Sequence, residues 1–144
     1  MAFRGHYDHS LDAKHRLSIP ARFRADFSSG LVLSKDTDAC ITVWTPQAHE
    51  RTVERALHGK NPLGSAYKNT QRFFQWHSFD SELDSSGRVT LQPKLMKHAR
   101  VTKEVVVAGV GDHIEIWDKE LWQSEQDALD ATIGEVTDSL GDPA

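Results

Sequence analysis

Cysteine is almost missing from this chain: Cys40 stands alone. A single thiol excludes an intramolecular disulfide framework, and a reducing cytoplasm is the expected compartment. Set among Ala39, Ile41 and Val43, it reads as a buried structural thiol rather than a nucleophile. Long apolar runs are missing too. The longest, Val105-Val106-Val107-Ala108, falls far short of the roughly 20 residues that a membrane-spanning helix needs. The first residues, Met1 to His6, hold no apolar signal core and lead directly into patterned sequence, so no export is expected. No glycine-rich phosphate loop and no Ser-His-Asp or Cys-His arrangement stands out. Neither catalysis nor a cofactor nor a small-molecule substrate is therefore expected.

Charge is present in both signs, but unevenly. The net charge of −4 over 144 residues hides a split. Residues 1–72 hold 11 Lys/Arg against 7 Asp/Glu, whereas residues 73–144 hold 6 against 14. The basic half is a candidate contact for phosphate, although two solvated surfaces of opposite sign would give the same count.

The strongest pattern is an internal repeat. A shift of 72 residues lays Tyr7-Asp8-His9-Ser10-Leu11-Asp12 on Phe79-Asp80-Ser81-Glu82-Leu83-Asp84. The same shift lays Arg16-Leu17-Ser18-Ile19 on Arg88-Val89-Thr90-Leu91. After one further residue, Ile41-Thr42-Val43-Trp44 matches Ile114-Glu115-Ile116-Trp117. Two copies of one β-rich unit are the reading. Each copy has alternating strand segments around a turn, 7–11 and 16–19 in the first and 79–83 and 88–91 in the second. A proline-led helical turn follows at Pro20 or Pro93, then a hairpin (31–35 with 40–44, 105–110 with 113–117). A helix ends each copy, capped by Thr45 or Asp118. The first helix stops at Gly59 and buries Val53, Ala56 and Leu57. The second carries Trp122, Leu129, Ile133, Val136 and Leu140 at helical spacing. An extra helix over Leu63–Trp76 joins the copies, with Tyr67, Gln71 and Phe74 on one face. Its Phe73-Phe74-Trp76 cluster is expected to pack into a core or a subunit interface. The last few residues of the acidic stretch 124–144 are expected to fray.

The turn Asp-x-x-x-Arg occurs twice, as Asp12 to Arg16 and Asp84 to Arg88. Asp at a turn start accepts backbone N–H groups. The arginine leaves on the next strand, where its guanidinium is able to fork onto phosphate or guanine. In the first copy Arg4, Lys14, Arg22 and Arg24 add positive charge; the second has no lysine near Arg88. An Asp–Arg ion pair that merely clamps its own turn fits the pattern equally well.

Phe3-Arg4-Gly5-His6-Tyr7, followed by Ser10-Leu11-Asp12-Ala13-Lys14-His15-Arg16-Leu17-Ser18-Ile19-Pro20-Ala21-Arg22-Phe23-Arg24, resembles the opening of the bacterial MraZ family. Leu83-Asp84-Ser85-Ser86-Gly87-Arg88-Val89 and Ile114-Glu115-Ile116-Trp117 resemble its second module. The resemblance implies an α+β fold of two pseudo-symmetric AbrB-like swapped-hairpin modules, 1–75 and 76–144, with a double-split β-barrel-like core and flanking helices. It further implies a ring-shaped homo-oligomer on double-stranded DNA, repressing the division and cell-wall gene cluster through tandem promoter repeats, within the cytoplasm and nucleoid. The DNA-contacting residues then fall on Arg16, Lys14 and Arg4, with His15, Arg22, Arg24 and Arg88 beside them. Asp12, Asp84 and Gly87 structure the turns. His15 departs from the family's usual glycine, which Gly87 keeps, so the first turn is expected to be reshaped or strained.

Three rival readings accompany this one. A ring-forming scaffold that holds a protein without touching DNA suits the acidic half. An enzyme would need a cleft with perturbed ionisable groups. An antitoxin of the same fold usually has one module and a disordered tail, which two modules oppose. A metal site at His6-x-x-His9 is disfavoured, because positions i and i+3 of a strand face opposite sides.

Overall fold

The computed structural model describes residues 2–141, and their side chains as far as Glu135. The first copy supplies β1 (His6–Ser10), β2 (Arg16–Ser18), a 3-10 segment (Ala21–Phe27), β3 (Leu31–Lys35), β4 (Ile41–Trp44) and α1 (Pro46–Leu57). Helix α2 (Ser65–Trp76) leads into the second copy: β5 (Ser78–Ser81), β6 (Arg88–Thr90), α3 (Pro93–Ala99), β7 (Glu104–Gly109), β8 (His113–Asp118) and α4 (Lys119–Gly141). The second copy repeats the order of the first, element for element.

Local chemistry sets the boundaries. Thr45 Oγ1 accepts from the Ala48 N–H at 3.2 Å, and Pro46 opens α1 where an N–H would be unpaired. At the start of α4, Asp118 Oδ2 accepts from the Leu121 N–H at 3.2 Å. Of the apolar positions read into α1, Val53 is buried while Ala56 and Leu57 are half-buried. On α2, Tyr67, Gln71 and Phe74 are half-buried as one face, but no residue of the helix is fully buried. The tail residues 142–144 and the side chains of Val136 and Leu140 lie outside what is described.

Pairing links the copies throughout. Six strands form one antiparallel sheet in the order β1-β7-β8-β4-β3-β5, and β2 pairs with β6 in a separate two-stranded ribbon. The first strand of each copy thus pairs with the third strand of the other: His6 with Ala108 through Ser10 with Glu104, and Leu31 with Ser81 through Ser34 with Ser78. The hydrophobic cluster draws on both copies, with Leu17, Ile19, Leu33, Ile41, Leu91 and Ile116 fully enclosed. Phe3 stacks on Phe27 at 5.3 Å and meets Phe23 edge-on at 5.2 Å, seating the 3-10 segment over it.

The barrel-like closure expected of the core is absent among the described residues. β1 and β5 are the two edges of an open sheet, and the short strands β2 and β6 pair with each other rather than joining those edges. Among the described residues no helix is long and apolar enough to cross a membrane.

Candidate nucleic-acid interface

The β2–β6 ribbon brings the two Asp-x-x-x-Arg turns together. Its register pairs Arg16 with Thr90, Leu17 with Val89 and Ser18 with Arg88. Strand alternation sends Leu17 and Val89 into the core, with 0% and 1% exposure, and leaves Arg16, Ser18, Arg88 and Thr90 on the outer face. Arg16 and Arg88 are diagonal neighbours on that face, two positions apart along the strands, or about 7 Å. Because the strands are antiparallel, the turns sit at opposite ends of the ribbon. Leu91 N–H donates to the His15 carbonyl at 2.9 Å, and Ile19 N–H to the Gly87 carbonyl at 3.0 Å.

Both turns are clamped in the same way. Asp12 Oδ1 accepts from the N–H groups of Lys14 (2.8 Å) and Arg16 (2.9 Å), and Oδ2 accepts from Arg16 Nε at 2.7 Å. Asp84 repeats this with Ser86, Arg88 and Arg88 Nε, each at 2.9 Å. The clamp uses Nε alone: the two terminal amines of each guanidinium make no hydrogen bond among the described residues. The pairing therefore fixes the arginine and leaves its fork free to meet an acceptor. The Arg16 N–H, followed by the Arg16 side chain and the Lys14 N–H, holds the Asp12 carboxyl down at about 2, against an ordinary 3.8. A depressed carboxyl stabilises the turn above its unfolded value and loses that effect only as pH falls through the folded one. In an NMR titration the Asp12 carboxyl and the Lys14 and Arg16 amides are accordingly expected to shift together, with a midpoint near 2. A midpoint near 4 would show that the clamp does not form.

His15 does not reshape its turn. It takes φ +59°, matching φ +75° at Gly87. The turn-closing bond is 3.0 Å in both copies, from His15 N–H to Asp12 carbonyl and from Gly87 N–H to Asp84 carbonyl. The two sites differ in what lies above them. His15 is exposed, whereas a Cβ on Gly87 would run into the side chain of Arg24. Gly87→Ala is therefore expected to lower stability by about 1–3 kcal/mol, chiefly from the strained backbone, with Arg24 displaced from its bond to the Ile19 carbonyl. His15→Gly is expected to leave it unchanged or raise it by about 0.5 kcal/mol, as relief of the left-handed strain offsets the extra chain entropy. Thermal melts of the two variants test the contrast, and equal losses would contradict it.

The remaining cations divide. Lys14 is exposed in the first turn, beside His15. Arg24 belongs to the second turn, although it lies in the first copy: it packs against Gly87 while its Nε donates to the Ile19 carbonyl at 2.8 Å. The turn that looked poor in cations in the sequence thus receives one from the other copy. Arg22 Nη1 donates to the Tyr7 hydroxyl at 2.8 Å, beside β1. Arg4 precedes β1, whose far end leads to the Asp12 turn. The structure does not bring Arg4 to the ribbon. Ser18 and Thr90, which complete the outer face, were not singled out from the sequence; the Arg-Leu-Ser and Arg-Val-Thr alternation was their signal.

Other chemistry-bearing groups are occupied elsewhere. His6 packs against Trp122 of α4, the ring centres 4.6 Å apart and the planes tilted by 42°. His9 lies on the opposite side of β1, where burial and the Arg24 charge lower its pKa. Cys40 is fully buried; burial and the carboxylates of Glu115 and Asp36 push its thiol far above the ordinary range. Its Sγ donates to Asp36 Oδ2 at 3.7 Å. That thiol is held protonated, which suits a structural role.

Residues 2–68 and 75–135 match the family described as "MraZ protein, putative antitoxin-like". The chain belongs to the MraZ family. The MraZ match takes in both Asp-x-x-x-Arg turns and both strands of the ribbon. The chain is 38% identical over 143 residues to the "Transcriptional regulator MraZ" of Lactobacillus delbrueckii subsp. bulgaricus, covering 97% of each protein. It is 34% identical over 140 residues to the protein of that name from Carboxydothermus hydrogenoformans, again covering 97% of each. With that of Thermoanaerobacter sp. (strain X514) it shares 32% identity over 138 residues, 96% of each.

Proposed function

We propose that this chain is a sequence-specific DNA-binding transcription regulator that reads promoter DNA with the β2–β6 ribbon. The carrying observation is the outer face of that ribbon, where two turn-clamped arginines stand at diagonal positions and their terminal guanidinium amines have no hydrogen-bond partner among the described residues. A two-stranded ribbon is one of the few protein shapes that enter the major groove, and arginine forks onto guanine there. The name carried by the MraZ relatives supports regulation of transcription. Modules 1–75 and 76–144 act as a pseudo-twofold swapped-hairpin pair, a reading supported by the exchange of first strands between the copies. Following the family resemblance, the chain acts as a ring-shaped homo-oligomer on tandem promoter repeats. There it represses the division and cell-wall gene cluster, its own gene included, on the nucleoid in the cytoplasm.

Footprinting on DNA upstream of its own gene, across a salt series, is the test. Regularly spaced protection that weakens by about 10³-fold or more between roughly 50 and 200 mM salt is expected if six or more phosphates are contacted around a ring. The rival, a protein-holding scaffold, draws on the acidic exposed face of α4. It would leave the promoter unprotected at every salt concentration.

A further inference from the structure

Two helices carry surfaces that nothing among the described residues covers, and the two surfaces are opposite in charge. On α2, Lys68, Arg72 and Trp76 recur every fourth residue and so form one stripe. All three are exposed, Trp76 at 69%, and Leu63 just before the helix at 81%. From Gly59 to Trp76 there are three cations and no acid. On α4, Glu125, Leu129 and Ile133 recur at the same spacing, with Asp130 alongside; Leu129 and Ile133 are 53% and 49% exposed. None of Lys68, Arg72, Glu125 or Asp130 has an ion-pair partner among the described residues. Beside α4, an open cavity of about 460 Å³ is lined by Trp122, Leu129, Glu125 and Asp130, a setting suited to an aromatic side chain flanked by cations. Large exposed apolar groups of this kind mark association surfaces.

We infer that the α2 stripe of one copy docks on the α4 stripe of the next, with Trp76 against Leu129 and Ile133 and Lys68 and Arg72 facing Glu125 and Asp130. This rests on the assembly proposed above and names its contact. The two faces lie toward opposite ends of the sheet: α4 packs on β7 and β8, and its Trp122 meets His6 of β1, whereas α2 packs on α1 and leads into β5. One contact therefore leaves both outer faces open. The interface is heterologous, which repeats head to tail and closes into a ring when the rotation allows.

Sedimentation velocity of the full chain without DNA tests the contact. Lys68→Glu/Arg72→Glu and Glu125→Lys/Asp130→Lys are each expected to weaken assembly at least tenfold, with melting temperature unchanged because all four side chains are exposed. Mixing the two variants in equal amounts is expected to restore the wild-type mass, since each then meets an opposite charge on both faces. Trp76→Ala is expected to weaken assembly without touching charge. Monomeric wild-type protein, full assembly in either reversed variant, or a mixture that stays monomeric would each overturn the inference. Unchanged mass in the reversed variants would discard this surface only; the DNA reading is tested separately by Arg16→Ala.

Discussion

Arg16→Ala is expected to abolish promoter binding in a gel shift while the mass of the assembly and its melting temperature stay where they were. One arginine forked on a guanine contributes roughly 1–3 kcal/mol of discrimination. If about three subunits of a ring meet successive repeats, a loss near 2 kcal/mol at each compounds to about 6 kcal/mol, on the order of 10⁴-fold. The fold has little reason to respond. The backbone bonds from Asp12 to the Lys14 and Arg16 N–H groups survive the substitution, and the lost ion pair is partly solvated. Arg16→Lys sharpens the test. It keeps the charge but has neither the Nε that Asp12 holds nor the planar fork, so binding should remain lost if bases are read and return in part if only phosphate is touched. Arg88→Ala is expected to cost less, because the first turn also exposes Lys14 and His15 where the second has Ser86 and Gly87. Unchanged binding by Arg16→Ala would remove the ribbon from the mechanism.

The elements of this fold were legible because the repeat supplied each of them twice, α2 excepted. The caps at Thr45 and Asp118 and the helix starts at Pro46 and Pro93 stand where the residues place them, while β8 runs one residue past Trp117 and Pro20 stands just before its helical segment. The partners of the strands were not legible. Alternation assigns a face to each residue but no neighbour, and nothing local to His6–Ser10 points to a strand nearly 100 residues on. That gap explains the unforeseen features of the site. Arg24 belongs to the turn of the other copy, and Arg4 is left remote, because the pairing of the copies decides which cations meet. The choice between a turn clamp and a nucleic-acid contact also dissolves in three dimensions: Nε serves the first, and the terminal amines stay available for the second. His15 shows the opposite limit, since the surrounding turn holds it in a conformation its own preference disfavours.

A fragment of residues 1–75 is expected never to exist as a folded monomer. Cutting there removes β7 from β1, β6 from β2, β5 from β3 and β8 from β4, so every strand of the fragment loses a partner at once. It also strips Val89, Leu91, Leu95, Ile114 and Ile116 from the cluster around Leu17 and Ile41. Each of those side chains fully buried contributes about 1.5–3 kcal/mol, so the five together are as large as the roughly 5–15 kcal/mol by which a domain is stable. One escape is open. Because β5, β6, β7 and β8 correspond to β1, β2, β3 and β4, a second copy of the fragment is able to supply the missing partners, as in a domain-swapped dimer. Circular dichroism and sedimentation over a dilution series distinguish the outcomes. The fragment should be either unfolded throughout or folded only as a dimer that unfolds on dilution. A folded monomer at low concentration would mean that the first copy stands alone, and that the exchange of strands between the copies is not what holds this molecule together.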